Sequence, residues 1–255
     1  MARDDDSATV SEVRQILALT CLEMSLYFRR IGGLLFALFM PTGLFLLATR
    51  LWYPPEMRHV AVPDMLVIVV FSSGLFSIGV AITQQRVDGT LKTYLSSPLR
   101  PRSYLIAQIA DRVSVTLVGT LVLLLVAYAG YDVRLGGNFL VFLGCLLLCL
   151  ATMIAFGFLL ASRFTSVEVA GGSSGLIFFA VMVASGQAVD PGKLPGWLAT
   201  TVDLLPFKPI VALMRISWSD ASFTGGGTKL LLVAGWLIVF VALASRFFRW
   251  TSTDR

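Results

Sequence analysis

Six stretches of this chain are apolar at nearly every position, and each is about as long as a helix must be to cross a bilayer. They run over 31–51, 65–83, 113–131, 139–161, 167–189 and 230–248. A hydrocarbon layer about 30 Å thick takes about 20 helical residues, because lipid offers no partner to backbone N–H and C=O groups. None of the stretches has the strict in/out alternation over about ten residues that a transmembrane β-strand requires. The fold expected is therefore an all-α membrane protein with six transmembrane helices. No cleavable leader is expected, since Asp4, Asp5, Asp6, Glu12 and Glu23 fill the 30 residues before the first apolar run.

Composition agrees. Hydrophobic residues make up 56% of the 255 and charged residues only 14%, against about 25% charged in a soluble domain. Mean hydropathy is +0.82. So much apolar surface cannot be hidden inside one soluble globule, and the same excess excludes disorder. Of the 20 Lys and Arg, 13 fall in 1–30, 84–112, at Arg163 and in the carboxyl-terminal tail, and 7 fall on the other face. The positive-inside rule then places both termini in the cytoplasm of a multi-pass plasma-membrane protein. The net charge of +5 follows from that topology and an anionic inner leaflet, so nucleic acid is not an expected partner whereas membrane lipid is.

The polar segments divide the chain into a cytoplasmic amino-terminal region 1–30, a transmembrane domain 31–248 and a tail 249–255. Within the first, Thr9 and Glu12 fit a capping box, and Val13, Leu17, Cys21, Met24 and Phe28 form one apolar stripe, as in an amphipathic interfacial helix. In the cytoplasmic loop 84–112, a short helix is expected to start near Gly89 and Thr90, to present Leu91, Tyr94 and Leu95 on one side, and to end near Pro98. A compact helix with an apolar edge and basic flanks is suited to dock into a cytoplasmic protein.

Several chemistries are missing. The middles of the expected spans contain no Asp, Glu, Lys, Arg or His, which disfavours proton or ion coupling. Glu168, beside Arg163, reads as an interfacial ion pair. There is no P-loop: Gly225-Gly226-Gly227-Thr228-Lys229 has the wrong order. The chain is thus expected to be non-catalytic, with no cofactor of its own. Gly171-Gly172-Ser173-Ser174-Gly175 contains a G-x-S-G string like that of intramembrane serine proteases. Its only possible histidine base, His59, falls on the opposite side of the bilayer. Gly171 and Gly175 read instead as small-residue helix packing. Cys145 and Cys149 lie one turn apart without further ligands, so no metal site is expected.

The string Gly89-Thr90-Leu91, followed by Leu95-Ser96-Ser97-Pro98-Leu99-Arg100, resembles the loop after the second span of ABC-2 type transporter permeases, a group that includes daunorubicin-type drug exporters and polysaccharide exporters. Leu194-Pro195-Gly196-Trp197-Leu198, Leu205-Pro206-Phe207-Lys208-Pro209 and Leu213-Met214-Arg215 resemble the external segment those permeases carry before their last span, and Pro41 in the first span also fits. The resemblance covers essentially the whole chain, with one departure: Gln84 and Gln85 stand where acidic residues often precede the Gly-Thr pair.

The resemblance implies a dimeric export permease, formed with a second copy or a paralogue. It would be driven by two separate ATPase subunits that carry the ATP and Mg. Asp88, Gly89, Thr90, Leu91, Tyr94, Leu95, Pro98, Leu99 and Arg100 would form the coupling element. Residues 190–229 would form short re-entrant helices, with Trp197, Leu204 and Phe207 at the outer interface. Phe71, Phe76, Phe178, Phe179, Met182 and Gln187 are the candidate pathway residues. An apolar and aromatic lining with Gln187 as a polar contact near the exit suits a drug-like, antibiotic or lipid-like amphiphile, with multidrug efflux and antibiotic resistance as the expected role. A polysaccharide or lipid-linked glycan is the alternative cargo, and intramembrane proteolysis a remote alternative of another class.

Overall fold

The structure is a computed structural model that describes residues 19–21, 31–91, 101–188, 195–219 and 222–247. All regular elements among them are helical. In chain order they are α1 (Ile31–Leu51), a 3-10 turn (Pro55–Met57), α2 (Arg58–Ser72), a π-helical segment (Ser73–Val80), α3 (Ala81–Val87), α4 (Pro101–Tyr131), α5 (Phe139–Ala161), α6 (Val167–Ala184), α7 (Gly196–Leu204), α8 (Phe207–Ser219) and α9 (Gly226–Phe247). Five of the resulting rods are long and apolar enough to cross a membrane: Pro55–Val87, Ser103–Tyr131, Phe139–Ala161, Val167–Ala184 and Gly226–Phe247. The 21 residues of α1 coincide with the first apolar stretch.

Two rods are longer than hydropathy predicts. The second begins at Pro55 rather than at residue 65, and the third reaches back to Ser103 rather than stopping at 113. The reason is that a helix continues past its apolar run wherever its polar side chains find partners. The extensions bring Asp64, Arg86, Asp111 and Arg112 into buried positions, so the helices contain charges that the apolar windows excluded. The rod of α6 is shorter than expected, ending at Ala184 with Ser185 as its cap. Side-chain caps fix two starts: Asn138 accepts from the Leu140 N–H at 2.9 Å, and Ser166 accepts from the Val169 N–H at 3.3 Å.

The composite helix formed by α2, the π segment and α3 lies at the centre, packed against α1, α4, α5, α6 and α8. Its closest neighbour is α5. A Cβ built on Gly74 would overlap the Met153 carbonyl, and one on Gly157 would overlap the Gly74 carbonyl, so the two backbones touch through glycine alone. Around the Arg58 end of the composite helix, Phe45, Leu66, Val70, Phe142, Met214 and Trp218 belong to one core cluster. Around its Val87 end, Ile78, Ile82, Leu91, Tyr104, Leu150 and Phe158 belong to a second. Exposed Leu121, Leu125, Leu176, Leu231 and Ile238 form an apolar exterior suited to lipid.

Two short helices fill 196–219, inside the expected external segment. Trp197 and Leu204 are exposed, consistent with an interfacial position, but Phe207 is buried. Its ring packs edge-on against Phe71 at 6.1 Å and against Phe156 at 5.8 Å, because α8 buries one face along its whole length. The end of α7 meets the middle of α9, where Trp236 donates to the Leu204 carbonyl at 2.9 Å. Of the expected amino-terminal amphipathic helix only 19–21 is described. It is helical, with Leu19 buried and Cys21 exposed, the reverse of the stripe read from the sequence.

Candidate functional site

The Val87 end of the composite helix leads into the first residues of the expected coupling element. Gln84 donates to both carboxylate oxygens of Asp88 at 2.8 Å, one helical turn apart. Gly89 has φ 74°, a left-handed conformation that ends α3 and favours glycine. The two glutamines that depart from the family pattern are therefore both engaged, because Gln85 accepts from the Tyr104 hydroxyl. Arg86 is buried and donates to the Ala161 carbonyl at the end of α5. Leu91, read as part of a docking edge, is fully buried in the second of the chain's own core clusters. Tyr94, Leu95, Pro98, Leu99 and Arg100 lie outside the described residues.

The candidate pathway residues separate into two groups. Phe71 is fully buried in the core, and Met182 is half-buried against it. Phe76 and Phe179 are exposed, at 40% and 66%, and Phe178 stacks on Phe76 at 5.6 Å. These rings mark an open face shared by the composite helix and α6. A Cβ built on Gly171 or Gly175 would meet no atom of another element within 4 Å, so among the described residues their face of α6 borders open space. The neighbouring serine is engaged: Ser174 is buried and donates to the Leu75 carbonyl at 3.1 Å, a cross-helix bond that occupies the hydroxyl of the protease-like string. Arg163 lies over the Phe247 ring at 4.6 Å rather than against Glu168. Among the described residues no group of three metal-ligating side chains occurs.

The most highly connected polar site was not singled out by the sequence. Asp64, 1% exposed in the first half of α2, is held by side chains from three other segments at once. Arg215 of α8 donates to it in a two-pronged pair, Nε to Oδ1 at 2.7 Å and Nη2 to Oδ2 at 2.9 Å. The Tyr53 hydroxyl donates to Oδ2 at 2.7 Å, and Gln187 Nε2 donates to Oδ1 at 3.3 Å. Burial, followed by the hydrogen bond to Asp64, pushes the Tyr53 phenol above its ordinary range. The hydrogen bond to Asp64 raises the Arg215 guanidinium further, so that it stays charged. A buried carboxylate is tolerable only with such partners. Sequence reading found Gln187 as a polar residue near the exit and quoted Arg215 within a motif. Nothing in the local pattern joins either to Asp64, which is 123 and 151 positions away.

A second buried pair lies in the inner half of α4, where Arg112 Nε is 3.5 Å from Asp111 Oδ2 and the Asp111 side chain is 1% exposed. Closer to the centre, Ser73 and Thr116 share a hydroxyl hydrogen bond at 3.1 Å that joins the π segment to α4.

Comparison with known proteins agrees with this architecture. ABC transporter G family member 20 of Dictyostelium discoideum is 27% identical over 191 residues, covering 71% of this chain and 25% of that protein. The probable multidrug ABC transporter permease YbhR of Escherichia coli is 20% identical over 179 residues, covering 69% of this chain and 49% of its own length. The chain thus spans between a quarter and a half of the length of these relatives. The sequence model of the ABC-2 type transporter matches residues 14–218. With that match over most of its length, and an all-helical bundle with membrane-length rods, the chain belongs to the ABC-2 type transporter family of membrane permeases.

Proposed function

We propose that this chain is the transmembrane subunit of an ATP-driven exporter of the drug-exporter type, moving an amphiphilic drug-like, antibiotic or lipid-like molecule out of the cell. Six spans cross the plasma membrane, α1 being the first, and both termini are cytoplasmic. The region 190–229 dips into the outer leaflet from outside, in keeping with the burial of Phe207 against Phe156 and the contact of Leu204 with the middle of α9. Two separate ATPase subunits bind ATP and Mg and dock on the loop after α3. The open glycine face of α6 meets a second copy or a paralogue.

The single observation that carries this reading is the open face of Phe76, Phe178 and Phe179 beside the unfilled surface of Gly171 and Gly175. A second copy placed against that face would enclose an aromatic, uncharged passage between two composite helices. Apolar walls with few polar groups bind amphiphiles by burial of area and offer little to ions. Because the composite helix runs without interruption from the loop to the outer end, movement at the docking site reaches the passage as a rigid-body shift.

The test is ATP-dependent efflux of a fluorescent lipophilic dye from vesicles holding the chain with its ATPase subunits. Replacing Phe76 and Phe179 together with Ala should lower efflux while leaving the complex assembled. Leu95→Glu should release the ATPase, and with it all transport. Survival of both ATPase binding and efflux in Leu95→Glu would overturn the docking assignment.

A further inference from the structure

The composite helix is positioned to work as a lever. Its closest contact is the Gly74–Gly157 seam, where backbones of the composite helix and α5 meet without side chains between them. At 1.5 Å per residue, Asp64 lies about 15 Å beyond that seam and Val87 about 20 Å on the other side. Together these span a hydrocarbon layer about 30 Å thick. One end therefore reaches the site of the Asp64 cluster, and the other reaches the cytoplasmic loop.

The element that Asp64 grips packs on the composite helix through Phe207 and Phe71 and is tied to α5 as well. Phe207 of α8 packs against Phe156 of α5, and Trp218 packs against Phe142 of α5 at 5.4 Å. The N–H groups of Gly136 and Gly137, just before α5, donate to the Trp218 carbonyl at 3.1 and 2.9 Å. Helices α5 and α8 thus form one block. The two-pronged Asp64–Arg215 pair joins the outer arm of the lever to that block, and Gln187 extends the junction to the end of α6, beside the proposed passage.

The pair is asymmetric in a way that suits repeated opening. Asp64 is 2% exposed and Arg215 45%. On separation the carboxylate keeps the hydroxyl of Tyr53 and the amide of Gln187. Opening therefore leaves one buried charge rather than two, and those two hydrogen bonds offset part of its cost.

We propose that Asp64, Arg215, Tyr53 and Gln187 form a latch that holds the outer exit shut, and that the composite helix, pivoting on the Gly74–Gly157 seam, releases it when its cytoplasmic end is displaced. The proposal rests on the exporter reading above. These four are positioning residues: they keep the exit closed without needing to touch cargo.

The test uses the chain assembled with its ATPase subunits in vesicles, with the native cysteines replaced and Ser185→Cys introduced. Ser185 is 4% exposed, two residues before Gln187. Labelling by a membrane-impermeant thiol reagent from the outer side reports opening. Without nucleotide, labelling of the otherwise intact latch should be slow. A non-hydrolysable ATP analogue should speed it. Asp64→Asn or Arg215→Gln should raise the nucleotide-free rate about tenfold or more, the factor set by losing one charge-assisted hydrogen bond. The exchanged pair, Asp64→Arg with Arg215→Asp, should bring the rate back down. Arg215→Gln, at the wetter partner, decides the matter if Asp64→Asn does not fold.

Labelling unchanged in Arg215→Gln, or a rate that ignores nucleotide while dye efflux proceeds, overturns the latch and leaves the exporter reading intact. Absence of ATP-dependent efflux from the parent complex overturns the exporter reading, and the latch with it.

Discussion

Replacing Gly157 with Ala adds one methyl group at the tightest point of the bundle. An ideal Cβ there would overlap the Gly74 carbonyl oxygen and crowd the Ile78 side chain. Backbone cannot rotate away as a long side chain can, so α5 and the composite helix must part by roughly 1 Å, in an interior packed to crystal-like density. Overpacking of this kind costs about 1–3 kcal/mol. For a chain of this size that corresponds to an apparent Tm about 3–10 °C lower. Gly144→Ala is the control, because it lies on the same helix and a Cβ there meets nothing within 4 Å. Both changes gain the same helix preference of Ala over Gly, about 0.5–1 kcal/mol, so their difference isolates the overlap. The assay is a melt of the detergent-solubilised protein followed by tryptophan fluorescence. Equal melting temperatures for the two variants would refute the glycine seam, and with it the proposed fulcrum.

Two further outcomes follow from single contacts. Ser174→Ala removes one cross-helix hydrogen bond, to the Leu75 carbonyl, and should lower stability by about 0.6 kcal/mol, the average for such bonds in membrane helices. Efflux should be retained, whereas a nucleophile role would make the same change abolish activity. For Tyr53, burial and the bond to Asp64 raise the phenol above its ordinary range. Its folded-state contribution is therefore complete below about pH 10, the ordinary phenol value, and declines as pH rises beyond it toward the folded-state value. Ultraviolet titration of the parent against Tyr53→Phe should show no ionisation of this residue near pH 10, and half-ionisation there would refute the buried hydrogen bond.

The inner and outer ends of the helices show where reading a sequence stops. Hydropathy counts transfer cost one residue at a time, so it ended the second and third spans at their first polar positions. Asp64 was left outside because the partners that shelter its carboxylate lie 11 to 151 positions away, beyond any local window; Asp111, whose charge partner is the adjacent Arg112, was left outside because hydropathy counts both charges as cost. Leu91 and Phe207 failed in the opposite sense: each was read as surface from its loop-like neighbourhood, yet each packs inside, against Tyr104 and Phe71 respectively. Ser174 had a motif suggestive of catalysis, and only the fold gave its hydroxyl a structural partner. The candidate aromatics were legible as a set, but which of them face outward was not. These helices are apolar on most faces, and periodicity cannot choose among faces that are alike.

What the sequence by itself determined is the solvent, the helical class and the family, because these depend on sums over many residues. Apolar runs of membrane length permit only helices whose backbone bonds are internal, and the Gly89-Thr90-Leu91 and Leu205-Pro206-Phe207 strings carry the resemblance that the family match bears out. What only the tertiary structure decided is which residues meet. The seam exists because two glycines 83 positions apart face each other. The Asp64 cluster exists because side chains from three separate segments converge on one carboxylate. Such contacts depend on shape and on long-range pairing of polar groups, and no local pattern of hydrophobic and polar positions contains them.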